Sequence, residues 1–268
     1  YLYGDDGADY LDGGEGIDDI AVYWPSPVGV TIDLGTGTGS GGHAEGDTLV
    51  NIEGIWGSYY EDILIGDFGM NYLYGNSGTD ELYGGGGVDI LDGGSDADYL
   101  YGGEDDDRLY GGGGADYLYG EKGDDRLEGE KGADELVGGS GSDTLSGGSG
   151  VDTHVWRTGD HGPGGGTFDT DTVTDFVLES DGDILKFDQI LQGVTEPSNA
   201  AELANYLHFD ATATETTISV DVDGGTDTHL EIVLDGVTET HWDTWGDPTT
   251  DADYVQILLN NNQLEVVD

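Results

Sequence analysis

The chain has 268 residues, 58 of them acidic against six basic, for a formal net charge of −52. Such a polyanion lacks the basic footprint of a nucleic-acid binder and is repelled by anionic membrane surfaces. With no cysteine it has neither disulfides nor thiolate metal sites, yet 10% aromatic content argues against an acidic disordered tail, so a bound cation is the agent expected to cancel the charge and staple the fold.

Tyr1-Leu2-Tyr3 reads as the tail of a repeat, which implies a longer parent chain. Two nine-residue units follow at 4–12 and 13–21, each with an aspartate, Asp9 and Asp18, at its sixth position. Residues 22–56 break that frame. They hold strand-like 30–34 and 49–55 joined by a glycine-rich loop at 35–42, and their length of 35, one short of four units, predicts about two irregular coils that continue the same winding. Gly37-x-Gly39-x-x-Gly42 has dinucleotide-loop spacing, but no helix follows it, so it reads as a turn. Asp47 is a further candidate metal ligand in this stretch.

From 57 to 155 an unbroken nine-residue frame holds eleven units. Position one is always glycine, and position eight is leucine in ten units, with His154 in the last. Position six is Asp62, Asp80, Asp89, Asp98, Asp107, Asp116, Asp125, Asp134, Asp143 and Asp152, with Asn71 the exception. The glycines permit the positive φ of tight turns, and Asp96 and Asp105 at position four are among the residues that tolerate it. Positions seven to nine form a short strand whose middle side chain points inward.

This G-G-x-G-x-D-x-U-x pattern, with U a large apolar residue, resembles the repeats-in-toxin, or hemolysin-type calcium-binding, family. The resemblance implies that two units make one coil of eighteen residues. It implies an all-β fold, a parallel β-roll (a right-handed calcium-binding β-solenoid), over 1–155. Aspartates would then stack along each edge about 4.8 Å apart, repelling one another unless Ca2+ ions bridge them. Nine inter-coil sites are expected, with Asn71 weakening its own. One outer face is expected to carry Tyr83, Tyr101 and Tyr119 beside Tyr99 and Tyr117, and the other Arg108 and Arg126, near Tyr72 and Tyr110, with both arginines meeting nearby carboxylates.

After Trp156 the texture changes. The segment 157–167 reads as a loop, 172–176 and 184–187 as strands, Asn199 with Glu202 as a capping box for a short helix to about 207, 217–222 and 230–234 as strands joined at Gly224-Gly225, 254–259 as a short helix or strand, and 264–267 as the last strand. Residues 156–268 are therefore a C-terminal β-rich cap with one or two short helices, closing the open end of the solenoid. Asp171-Thr-Val-Thr-Asp175-Phe176 and Gly182-Asp183 are similar to the segment that follows such repeats, which makes Asp171, Asp175 and Asp183 further calcium candidates. The stretch from Ile218 to Asp268 is similar to the type I secretion region of large bacterial adhesins. That likeness implies a secreted protein at the surface of a Gram-negative bacterium, with the type I secretion apparatus as its partner during export. Asp221-x-Asp223 departs from EF-hand spacing and reads as a hairpin turn.

Catalytic patterns are missing. There is no H-E-x-x-H and no G-x-S-x-G, so neither a zinc protease nor a lipase is encoded, and His154 reads as a packed end-of-roll residue while His161 has no metal partner at helical spacing. The chain is expected to be a calcium-binding module and no enzyme, monomeric, without nucleic-acid partner or direct membrane insertion. The alternatives are the tail of a secreted hydrolase, or a module binding a carbohydrate or cell-surface ligand on the tyrosine face.

Overall fold

Successive nonapeptides send their strands alternately to two stacked sheets, so each strand pairs in parallel with the strand two units away. The computed structural model describes residues 1–157, 169–178, 182–188, 199–220, 230–237, 250–260 and 263–267. Among these residues each of the two sheets has twelve strands. The central strands of the first run Tyr72–Ser77, Ile90–Ser95, Arg108–Gly113 and Arg126–Lys131; those of the second run Glu81–Gly86, Tyr99–Glu104, Tyr117–Lys122 and Glu135–Ser140. Neighbours are in eighteen-residue register, Leu82 beside Leu100 and Leu91 beside Leu109. The architecture is the parallel β-roll expected from the repeat.

The core is one leucine thick from each side. Leu64, Leu82, Leu100, Leu118 and Leu136 face Leu73, Leu91, Leu109, Leu127 and Leu145, all buried. Each such burial is worth about 1.5–3 kcal/mol. The central strands are six residues long, twice the expected triplet, because pairing runs on through positions one to three, where the register joins Gly85 to Gly103 and Gly94 to Gly112. Backbone ladders need no side chain, so the glycines extend the strand.

The irregular stretch forms one broadened coil, where two coils were expected. Ile20–Val22 and Gly54–Trp56 are neighbours in the first sheet, while Thr31–Asp33, Thr38–Ser40 and Thr48–Val50 make an antiparallel meander in the second. The glycine-rich loop thus contains a strand, and the 3-10 turn Gly42–Ala44 follows it.

The sheets run past the expected boundary at 155/156, which falls inside Thr153–Arg157. That strand pairs with Ile184–Asp188, which pairs with Leu264–Val267; Thr144–Ser146 pairs with Asp169–Val173, which pairs with Leu230–Asp235. Glu215–Val220 and Leu207–Ala211 then close the first sheet antiparallel. Helix α1 (Ala200–Leu203) is capped by Asn199, whose side chain accepts from Ala201 and Glu202, and stops four residues short of the expected end. Helix α2 (Asp251–Asn260) buries Val255 and Leu258, and its Tyr254 stacks on Phe209 at 5.2 Å. Of the expected loop at 157–167, Arg157 instead ends the strand Thr153–Arg157 and the rest, with His161, lies outside the described residues, as do the turn at Gly224-Gly225 and the Asp221/Asp223 pair.

Candidate metal centre

Positions four to six turn the chain from one sheet to the other, and the position-six aspartate closes each turn. Its Oδ1 accepts the backbone N–H of the position-six residue one coil earlier. Along one edge this links Asp62, Asp80, Asp98, Asp116, Asp134, Asp152 and finally Asp183 at 2.8–3.0 Å. Along the other it links Asn71, Asp89, Asp107, Asp125, Asp143 and finally Asp171 at 2.7–3.0 Å. The carboxylates are thus stacked in two rows, as the frame predicts.

The second oxygen is the unusual one. Oδ2 of Asp80, Asp89, Asp98, Asp107, Asp116, Asp125, Asp134, Asp143 and Asp152 is buried with no hydrogen-bond partner, nine in all, and Asp9 Oδ2 shares that state. The position-one glycine explains how it fits. A Cβ on Gly84 would stand 2.5 Å from Asp89 Oδ2 and 2.5 Å from the carbonyl oxygen of Gly102, so the carboxylate and a backbone carbonyl of the next coil crowd one spot.

Burial, against a lowering by the N–H bond, drives these carboxyls upward. Asp98 and Asp107 are pushed up to about 8, with like charge from the flanking row members adding to desolvation. Asp143 also reaches about 8, through burial and then the charge of Asp171. Asp80, Asp89, Asp125 and Asp134 reach about 7, and Asp116 and Asp183 about 6, all chiefly through burial. An orphaned buried anion oxygen is costly, and a cation relieves both the missing bond and the charge.

The rest of the candidate set divides. Asp171 and Asp183 end the rows with both oxygens bonded: Asp171 Oδ2 accepts the Trp156 indole N–H at 2.7 Å, and Asp183 Oδ2 accepts Val177 N–H at 2.7 Å. Asp62 accepts Val30 N–H and the Ser58 hydroxyl on Oδ1 and Ser58 N–H on Oδ2. Asp175 joins neither row; it accepts from the Ser146 hydroxyl, Gly147 N–H and Gly148 N–H, and so braces the last repeat turn.

Asp18 is corrected. It is exposed, and Asp19 takes the row position, its N–H bonding Glu53 Oε2 at 3.1 Å, because Ala21 rather than Ile20 turns inward. Glu53 was not singled out from the sequence; its 34-residue separation hides it from an eighteen-residue search. Asp47 serves the Asp9 rung, accepting Asp9 N–H at 2.8 Å, while its Oδ2 accepts the Tyr23 hydroxyl at 3.0 Å. Asn71 ends its row with an amide whose Oδ1 accepts Asp67 N–H.

Among the described residues no three acidic or histidine side chains converge to make a metal cluster. Each coil instead offers one carboxylate oxygen beside backbone carbonyls, an all-oxygen donor set of the kind hard cations such as calcium take. The residues present fit that ion.

Four segments of the chain, 1–20, 56–91, 92–127 and 119–153, match the family of RTX calcium-binding nonapeptide repeats. No curated protein matches the chain. Among solved structures, the AlgE6R3 subunit of the Azotobacter vinelandii mannuronan C5-epimerase is 29% identical, covering 53% of this chain and 71% of that one at a TM-score of 0.24, too low to transfer anything from its arrangement.

Proposed function

We propose that this RTX-repeat β-roll is a calcium-folded structural module of a secreted protein. The observation that carries the reading is the nine unpartnered, buried Oδ2 atoms in two unbroken rows. Calcium, when bound, supplies the positive charge that lets stacked carboxylates coexist. The chain's own residues do the rest: Oδ1 atoms lock the register, position-one glycines admit Oδ2 beside the next coil's carbonyl, and the leucines seal a thin core. At about ten times its dissociation constant an ion contributes about 1.4 kcal/mol, so nine would contribute on the order of 10 kcal/mol, comparable to a domain's stability. Circular dichroism with calcium and with chelator tests this: a β-rich spectrum that survives chelation at neutral pH overturns it.

The finer placement is the C-terminal portion of a large adhesin at the surface of a Gram-negative bacterium, exported unfolded by a type I apparatus. Its support is the acidity of the chain and the likeness of 218–268 to adhesin secretion regions. Because Leu230–Asp235 and Leu264–Val267 are strands of the roll's own sheets, deleting 230–268 also damages the cap. Export is therefore tested by fusing 230–268 to an unrelated passenger, and a passenger that stays inside the cell counts against the role. We assign the module no catalytic step and a monomeric state. Epimerisation or cleavage of a polysaccharide by the calcium-loaded chain, or a dimer mass in light scattering, would contradict these.

A carbohydrate platform on the tyrosines is the weaker reading. Tyr83, Tyr101 and Tyr119 stack face to face at 4.9 and 5.0 Å, and Tyr99 on Tyr117 at 4.8 Å, so ring faces that would meet a sugar cover one another.

A further inference from the structure

The rows of unpartnered oxygens stop abruptly, each at a protein hydrogen-bond donor. Asp171 keeps the Oδ1 bond of every interior rung, to Asp143 N–H at 3.0 Å, but its Oδ2 holds the Trp156 indole N–H at 2.7 Å. At the other end of the molecule Asp47 repeats the arrangement: Oδ1 on Asp9 N–H at 2.8 Å, Oδ2 on the Tyr23 hydroxyl at 3.0 Å. Asp62 Oδ2 accepts from Ser58 N–H, and the Ser58 hydroxyl donates to its Oδ1. Trp156 and Tyr23 are both buried and reach their carboxylates from outside the repeat turns. In every case the bond that sets register is retained, and the oxygen left orphaned inside the row has acquired a neutral donor, with Asp62 Oδ1 taking the Ser58 hydroxyl as well.

We propose that Trp156 and Tyr23 are plugs that fix the length of the cation rows, and that Asp171 and Asp47 are latent cation ligands held off by them. The physical reason is coordination. A cation between coils draws oxygens from both, whereas past Asp171 the next strand, Leu230–Asp235, places Ile232 and no carboxylate at its register position. A carboxylate there has coil oxygens on one side only, so a cation at it would have to complete its shell with water; an N–H or O–H donor satisfies the oxygen first, and only the loss of that donor leaves it to the cation. The plugs also give each row end a calcium-independent anchor. This rests on the calcium reading above.

The test is a calcium count on the full chain by equilibrium dialysis and atomic emission, at saturating calcium, for the wild type, Trp156→Phe and Tyr23→Phe. Phenylalanine leaves an aromatic ring where the Trp156 indole stacks on Phe187 at 5.6 Å, and keeps the Tyr23 ring itself, but removes the donor in both. Each variant is expected to bind one ion more than the wild type, and to lose more of its β-sheet signal in chelator than the wild type does. Folded variants that bind the wild-type number overturn the plug assignment. If Trp156→Phe does not fold in calcium, Tyr23→Phe at the opposite end decides the matter alone. A wild type that binds no calcium removes the underlying metal reading, a result distinct from an unchanged count.

Discussion

Asp143 N–H donates to Asp171 Oδ1 at 3.0 Å across 28 residues, where the earlier bonds of that row span 18. The row therefore passes from the repeats into the cap without losing phase, and Asp171 is the joint between them. Its second oxygen holds the Trp156 indole. Replacing it with alanine strands two buried donors, each costing about 1–3 kcal/mol when unpaired. Asp171→Ala is expected to destabilise the calcium-loaded chain by about 2–5 kcal/mol in urea unfolding followed by tryptophan fluorescence. A loss below about 0.5 kcal/mol, the scale of a neutral surface change, would show that cap and roll are not coupled at this point.

Without calcium the proton is the counter-charge at hand. The row carboxyls sit at about 6 to 8 in the fold because they are buried and then because they neighbour one another. Unfolded aspartates titrate near about 4. The folded state therefore holds protons that the unfolded chain has released, and their contribution is complete below about pH 4 and is lost as the pH climbs through about 6 to 8. In chelator, the β-sheet signal absent at neutral and higher pH should be regained as the pH falls towards about 5, and a melting transition should appear and move upward with further acidification. Calcium affinity should fall over the same interval, since protons and ions compete for the same oxygens. An apo chain that became less stable on mild acidification would be incompatible with these shifts.

Much of this was legible because the frame is strict. The register that puts Leu82 on Leu100, Tyr83 on Tyr101 and Arg108 on Arg126 follows from the nine-residue spacing once the family resemblance supplies two units to a coil. The burial of His154 follows from its place in the leucine column. What escaped lies where spacing is lost. Ile20 and Ala21 are both apolar, so nothing local shows that the coil has slipped by one and that Asp19 replaces Asp18. Glu53 takes a row position across 34 residues and so escaped; Asp47, already a candidate, takes one across 38, a distance that the nine-residue frame does not set. Position two carries a positive φ as regularly as position four does, yet Asn76, Glu121 and Glu130 there disguise it.

Those two glutamates make a stability prediction. Glu121 and Glu130 have φ of 75° and 68°, at the position where Gly103, Gly112, Gly139 and Gly148 sit at 95–120°. A side chain in the left-handed region costs about 1–2 kcal/mol, and glycine's greater freedom in the unfolded chain returns about half of that. Glu121 also adds its charge to the field around Asp125. Glu121→Gly and Glu130→Gly should each raise stability at fixed calcium by about 0.5–1 kcal/mol, and the pair should be additive. Lower melting temperatures for both would mean that these carboxylates take part in binding the ions.

Tyr101 is covered on both faces, by Tyr83 at 4.9 Å with planes 4° apart and by Tyr119 at 5.0 Å with planes 8° apart. Beyond it the Arg157 guanidinium lies 5.1 Å over Tyr119, and Arg157 also pairs with Glu135 at 2.9 Å. The column is thus a continuous stack along the roll axis that presents ring edges outward. Each stacked pair is worth about 0.5–1.5 kcal/mol beyond its area, so Tyr101→Ala should cost about 1–3 kcal/mol. Tyr99→Ala, which breaks one pair, should cost about half as much. Calcium titrations followed by thermal melts separate this from a ligand-binding role, because a structural stack changes the melt and leaves a glycan array blank for wild type and variants alike. Glycan binding by the wild type that is lost in Tyr99→Ala and Tyr117→Ala at unchanged melting temperature would reverse the assignment and make the tyrosine face a recognition surface.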